Sequence, residues 1–288
     1  VSGNIGLPLG PEGFINITAE YRDRNDTNRG GYDPRRNYSQ SGALDPRELT
    51  LDRRYHRYGD PKTEDLNIVV NLGMPLDDQV SFYAFGSFGT RDAESAGFYR
   101  RAADNRNVLA IYPDGFLPKI APDVTDYAAT FGTRWTLGSW DMDASLGYGL
   151  NDMEFTIVDT LNRSLGPTSK TVFDAGGYDY DQGVLNISGV RGVDVAGLAS
   201  PLNVALGLEA RREGYGIFAG EPDSYRNGGV LLNGAPTASG AQVFPGFRPG
   251  NVVNEHRSAV GAYLDLEANL TENFLGSAAI RVEEYSDF

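Results

Sequence analysis

Cysteine is missing altogether, and histidine occurs only at His56 and His256. Disulfides, thiolate metal centres and cysteine nucleophiles are therefore excluded, and so is a histidine-rich zinc or iron centre. Lysine is nearly as scarce. Lys62, Lys119 and Lys170 account for three of 25 basic residues, which leaves 25 − 3 = 22 arginines. Guanidinium groups make fixed, bidentate contacts with carboxylates, so many of these charges are expected in networks. The 39 acidic residues give a net charge of −14. That balance lacks the basic footprint of a nucleic-acid binder, and no nucleic-acid partner is expected. No run of about 18 apolar residues exists, so no membrane-crossing helix is expected. There is no Gly-x-Ser-x-Gly elbow, and neither histidine lies in a motif, so neither catalysis nor a cofactor or metal is expected. The start, Val1-Ser2-Gly3-Asn4-Ile5, has no initiator Met and no leader features.

What is present is glycine and aromatic residues. The 288 residues, enough for one large or two small domains, include 36 Gly, 16 Tyr and 14 Phe. This composition suits many short strands and turns. Period-two alternation recurs along the chain while helical periodicity is scarce. Ile15, Ile17, Ala19 and Tyr21 alternate with Asn16, Thr18, Glu20, Arg22 and Arg24. Leu66, Ile68, Val70, Leu72 and Met74 alternate within 63–74, and Val80, Phe82, Ala84 and Phe88 within 79–90. The same pattern runs through 126–137, 140–151 and 202–211, and more weakly through 2–7, 182–194, 258–269 and 274–284. These make about ten strands, many near the ~9–11 residues that cross a bilayer when tilted. One face of each is apolar and the other carries Asp, Asn, Glu, Arg and Ser.

The connections alternate as well. Turns at 8–13, 75–78, 138–139, 197–201 and 269–273 are short and rich in Gly, Pro, Asn and Asp. Between them lie long polar stretches at 25–62, 91–125, 152–181 and 217–257. Loops this long are uncommon in compact soluble domains. Strict alternation of long loops with tight turns is the pattern of an outer-membrane barrel. Trp135, Trp140, Phe82 and Phe274 flank short turns, where an aromatic girdle is expected at a membrane interface. The same alternation also fits the inner faces of a β-sandwich.

At this point the sequence resembles the barrel region of TonB-dependent outer-membrane receptors. The resemblance is carried by Gly13-Phe14-Ile15-Asn16-Ile17-Thr18-Ala19-Glu20-Tyr21-Arg22-Asp23-Arg24, Tyr83-Ala84-Phe85-Gly86, Ser95-Ala96-Gly97-Phe98-Tyr99-Arg100 and Ile111-Tyr112-Pro113-Asp114-Gly115-Phe116-Leu117-Pro118. It continues through Ala219-Gly220-Glu221-Pro222-Asp223-Ser224-Tyr225, Gln242-Val243-Phe244-Pro245-Gly246-Phe247 and Glu283-Glu284-Tyr285-Ser286-Asp287-Phe288. The resemblance implies an all-β, antiparallel up-and-down transmembrane barrel segment of about ten strands with long extracellular loops. Residues 1–288 would then be a partial barrel domain without the plug domain such receptors carry, in the outer membrane of a Gram-negative bacterium. Its implied partners are outer-membrane lipid, the plug, TonB, and a scarce small ligand, either a metal chelate such as a ferric siderophore or cobalamin, or an oligosaccharide. Ser286 and Glu284 occupy alternate positions where a closing, lipid-facing last strand ending at Phe288 would carry apolar residues.

Three groups of residues are candidates for ligand contact. Asn16, Thr18, Glu20 and Arg22 line the polar face and would face the lumen, touching ligand, plug or neighbouring charges. Arg53, Arg54, Tyr55, His56, Arg57 and Tyr58 offer cations and aromatic rings to a carboxylate or catecholate. Alternatively they pack the loop against Asp45, Asp52, Asp60 and Glu64. Tyr99, Arg100 and Tyr112 stand in an aromatic loop that would stack on a sugar or planar chelate, or form a loop core with Phe98 and Phe116. The run from Asp174 to Asp181 lacks calcium-loop spacing and is expected to be an acidic turn. Two other architectures remain open. A soluble carbohydrate-binding sandwich would pack Val70, Leu146 and Leu206 against a second sheet. A small complete barrel would pair its first and last strands.

Overall fold

The computed structural model describes residues 1–287, so Phe288 lies outside the described residues. In chain order the strands are β1 (Ser2–Leu9), β2 (Gly13–Arg24), β3 (Lys62–Pro75), β4 (Val80–Ala96), β5 (Arg100–Arg101), β6 (Gly115–Phe116) and β7 (Lys119–Leu137). They continue with β8 (Trp140–Val158), β9 (Phe173–Val193), β10 (Leu202–Ala219), β11 (Leu231–Leu232), β12 (Ala235–Pro236), β13 (Val253–Thr271) and β14 (Phe274–Tyr285). One helical turn, α1 (Pro222–Tyr225), sits between β10 and β11. Ten of these strands form one antiparallel sheet in the order β1-β2-β3-β4-β7-β8-β9-β10-β13-β14, and β5-β6 and β11-β12 are two-residue pairs within loops. Every long strand thus pairs with its neighbour in sequence, which is up-and-down connectivity.

The register carries the apolar alternation across the sheet. Leu7, Ile15, Leu72, Ala84, Phe131, Leu146, Leu185, Ala210 and Val260 stand directly opposite one another, strand after strand. A one-residue slip anywhere would send a whole strand's apolar set to the other face. The row ends at Glu284 of β14, opposite Val260. No second sheet covers this face: Leu146 is 59% and Leu206 is 41% exposed. The packing that a sandwich requires is therefore absent. β1 pairs with β2 and β14 with β13, and the sheet order among the described residues contains no β1–β14 pair, so the closure of a small complete barrel is absent too.

The strands are longer than the alternation alone implies. β9 has 21 residues and β7, β8 and β13 have 19 each. Beyond Tyr21, Phe88 and Tyr127 the apolar face turns acidic, with Asp23, Glu64, Asp92, Asp123 and Glu154 in register across five strands. Side-chain alternation ends there, but the backbone hydrogen-bond ladder continues, because it needs no apolar side chains. Consequently the long connections shrink to 25–61, 97–118, 159–172 and 220–252. The run from Asp174 to Asp181 is not a turn. It lies within β9, where Gly176 takes φ 75° and the ladder with β8 shifts register between Glu154 and Thr156.

On the polar face, bulky rings lie over cross-strand glycines. Tyr83 stands opposite Gly132 and Tyr263 opposite Gly207. A Cβ at Gly132 would fall 2.1 Å from Tyr83 Cζ, so the glycine makes room for the ring. The ring in turn hands its hydroxyl to Asp143 Oδ1 at 2.8 Å, beside Arg134. Substituting Gly132→Val is expected to expel Tyr83 and destabilise the folded protein by about 1–3 kcal/mol. Gly149→Ala meets only an ordinary contact at 3.7 Å and is expected to be neutral. Equilibrium unfolding of the two variants by chemical denaturant checks both outcomes.

Candidate functional site

The four long connections gather at one end of the sheet, opposite the tight turns. Loop 25–61 folds back on itself as a ragged ribbon, through Thr27 N to Asp60 O (3.2 Å), Arg29 N to Tyr58 O (2.8 Å) and Asp33 N to Arg53 O (3.0 Å). Its pivot is Asp33, only 4% exposed. The Asp33-Pro34-Arg35 turn lets the carboxylate accept from the Arg35 backbone N–H at 2.9 Å. The same carboxylate accepts from Arg35 Nε at 2.8 Å and Nη2 at 2.5 Å, and pairs with His56 Nε2 at 3.1 Å. Hydrogen bonding from the Arg35 side chain holds the Asp33 carboxyl well below the usual carboxylate range, outweighing burial, with His56 adding to it.

Loop 97–118 packs against this ribbon. Asn37, fully buried, gives its amide to Asp114 O at 2.9 Å and accepts from Ala102 N at 3.2 Å. Tyr55 stacks on Tyr99 at 3.7 Å between centroids, and His56 lies 4.9 Å from Phe98. The Tyr99 hydroxyl donates to Asp114 O at 2.6 Å, and burial pushes its phenol far up. Val108, Phe116 and Leu161 form a small core with Ile111 and Tyr112 around it. Tyr112 stacks on Phe116 at 4.6 Å and donates to Thr160 O at 3.3 Å, and burial raises its phenol to about 12.

The structure thus brings most of the loop candidates together as packing partners. Arg53 bonds Glu48 at 2.8 Å, and Arg57 bonds Glu94 at 3.0 Å and Asp26 at 3.4 Å. These carboxylates are not the four neighbours that sequence proximity suggested, because the ribbon turns Arg57 toward β4. Arg100, buried, donates to Phe98 O at 2.9 Å and Gln242 Oε1 at 3.3 Å. Arg54 and Tyr58 instead reach solvent. Arg54 lies 4.4 Å from the centroid of Tyr32, a ring 65% exposed, and has no ion pair among the described residues. Tyr32 escaped the sequence reading, since nothing in its spacing connects it to Arg54 until the ribbon forms.

The lumen-lining candidates do share the polar face. Asn4 donates to Asn16 and to Thr18, each at 2.7 Å. Arg22 pairs with Asp65 at 3.0 Å, and Arg91 reaches the other Asp65 oxygen at 2.5 Å. Two half-exposed guanidiniums therefore share one carboxylate that is 2% exposed. Such a triad keeps one positive charge in excess and free N–H edges for an oxyanion. Glu20 is exposed with no ion pair among the described residues. Cross-strand networks that only register reveals continue along this face. Glu213 takes Arg257 at 2.5 Å and the Tyr180 hydroxyl at 2.6 Å, and Arg281 bridges Glu209 at 3.0 Å and Glu283.

Charge is distributed unevenly. Loops 25–61 and 97–118 together carry ten arginines against eight carboxylates, 10 − 8 = +2, in a chain of net charge −14. Among the described residues, no three His, Asp or Glu side chains converge on a metal site, and no helix is long and apolar enough to cross a membrane.

No family model matches this sequence, and no curated protein does. Among solved structures, the ferric-catecholate import receptor Fiu of E. coli K12, in its closed form, is similar with a TM-score of 0.57 at 10% identity. The match covers 98% of this chain and 38% of that one, so the chain spans well under half of the receptor's length. The likeness concerns the fold: an antiparallel, barrel-type sheet.

Replacing Asp33→Asn removes the charge that ties Arg35 and His56 together. Hydrogen exchange across 25–61 is expected to accelerate roughly tenfold at neutral pH. The carboxyl is depressed in the folded state, so its contribution is present above about pH 4. It is lost as pH falls through the lower, folded value. The gap between parent and variant is therefore expected to persist at pH 5 and to close only in stronger acid.

Proposed function

We propose that this chain is part of the barrel wall of a TonB-dependent outer-membrane transporter, taking up a small anionic ligand such as a ferric chelate. The observation that carries the reading is the two-faced sheet. Nine apolar residues in direct register form a face that no protein layer covers, while arginine–carboxylate networks fill the other. Lipid is the natural neighbour of the first face and water of the second. Trp135 and Trp140 beside the tight turn, with Tyr21, Phe88 and Tyr127 at the other end of the apolar band, sit where interfacial aromatics are favoured. The free edges of β1 and β14 would pair with further strands of the same barrel, since lipid does not tolerate unpaired backbone.

The loop end supports an anionic ligand. It is the basic part of an acidic chain, with Arg54 over Tyr32 at its surface and the Arg22–Asp65–Arg91 triad further down the polar face. The likeness to an import receptor for ferric catecholates favours a metal chelate over an oligosaccharide. In this reading a plug domain lies against the polar face and TonB supplies energy from the inner membrane. The segment by itself performs no catalysis and needs no resident cofactor.

Immunoblotting of fractionated native envelopes, with antibody to loop 97–118, tests this reading. A band in the outer-membrane fraction well above 31.2 kDa supports a plugged receptor. A soluble band near 31.2 kDa overturns it. Leu146→Asp is expected to abolish outer-membrane assembly, because a carboxylate at mid-bilayer depth is strongly disfavoured.

A further inference from the structure

Residue 243 has a backbone conformation that its side chain opposes. Val243 takes φ 76°, whereas the other non-glycine residues at positive φ among the described residues are Asp159 and Asn233, types that tolerate it. A β-branched residue persists there only when its surroundings hold it. Those surroundings come from every long loop except 25–61. Ala241 N donates to Ser224 O at 2.8 Å, Gln242 N to Leu161 O at 3.2 Å, and Thr160 Oγ1 to Gln242 O at 3.0 Å. Arg100 holds the Gln242 side chain at 3.3 Å, and Phe247 N donates to Ala175 O at 2.9 Å.

The segment lies on the polar-face side of the sheet. Phe244 and Phe247 pack on Phe155 of β8 at 5.2 and 6.4 Å between centroids, and Val243 and Phe244 cover Ile157 and Phe173. The Val243 side chain occupies the space above Gly97, where a Cβ would fall 2.4 Å from Val243 Cγ2. Gly240, at φ 85°, and Gly246 bound the segment and offer pivots at both ends.

We propose that residues 240–247 form a spring-loaded strap that closes the polar face at the loop end and swings away about Gly240 and Gly246. Contacts with loops 97–118 and 159–172, with Ser224 and with β8 and β9 seat the strap, and the strained backbone at Val243 opposes them. The seated and released states are therefore closer in energy than the contacts alone would place them. A ligand arriving from the loop end has only to displace the Phe244 and Phe247 rings for the strain to assist release. What the strap covers, a ligand path along the polar face, rests on the barrel reading. The strap's motion does not, and its test reads position alone.

The chain's lack of cysteine makes the test clean. Ala175→Cys places one thiol in the buried cluster that Val243 and Phe244 cover, at a residue whose carbonyl accepts from Phe247 N. Its labelling by a bulky, water-soluble maleimide is followed on the intact purified protein, whichever cell fraction yields it. Val243→Ala and Val243→Gly both remove the wedge over Gly97, but only alanine retains the strain. The alanine form is expected to label roughly fivefold faster than the glycine form. Gly97→Ala pushes on Val243 and is expected to label at least about fivefold faster than the reporter alone. Equal rates for the two Val243 variants, or a thiol silent in every form, overturn the strap. Should Gly97→Ala fail to assemble, the Val243 pair decides. An envelope location that contradicts the barrel reading would leave these labelling rates unchanged, so the two failures are distinguishable.

Discussion

Everything in this molecule depends on the register of one antiparallel hydrogen-bond ladder. Side chains alternate with a period of two, so the ladder sorts chemistry by parity. Odd and even positions of each strand receive opposite surroundings, and register keeps those surroundings continuous from β1 to β14. The apolar row from Leu7 to Val260 and the polar networks around Asp65, Asp143 and Glu213 are two readings of the same alignment. Neither exists in a single strand. A lone strand would place Arg22, Asp65 and Arg91 nowhere near one another.

The scarcity of lysine fits this architecture. On the polar face, partners stand at fixed cross-strand spacings of a few ångströms, and a planar guanidinium can span two strands while meeting a carboxylate edge-on. Arg257 and Arg281 each do so. At the loop end the same chemistry serves a different purpose. Asp33–Arg35 and Arg53–Glu48 replace the hydrophobic core that long surface loops lack, and the apolar clusters around Ile157 and Val108 are small. Loops ordered in this way are held by directional bonds, which permits a strained residue such as Val243 to persist where a softer loop would relax.

Much of the strand framework was legible from residue order. The alternation at 14–24, 63–74, 126–137 and 140–151 anticipated β2, β3, β7 and β8, and the tight turns fell where Gly138 takes φ 63° and Gly10 takes φ 72°. The outer halves of the long strands were not legible. Asp92, Asp123 and Glu154 read as loop because their side chains break the alternation, although their backbones keep the ladder. Asp174–Asp181 read as a turn for the same reason. The loop candidates were chosen by composition, and composition could not separate His56 and Arg100, turned inward, from Arg54 and Tyr58, turned outward.

By itself, the sequence determined an all-β chain with one apolar and one polar face, tight turns at one end and long loops at the other. These follow from local periodicity and turn chemistry, which act over a few residues. Only the tertiary structure decided which charges meet. Arg57 turns to Glu94, Tyr32 lies under Arg54, and residue 243 is pressed onto residue 97. Such contacts join residues far apart in the chain, and their distances are set by strand register and loop closure, which no local pattern encodes.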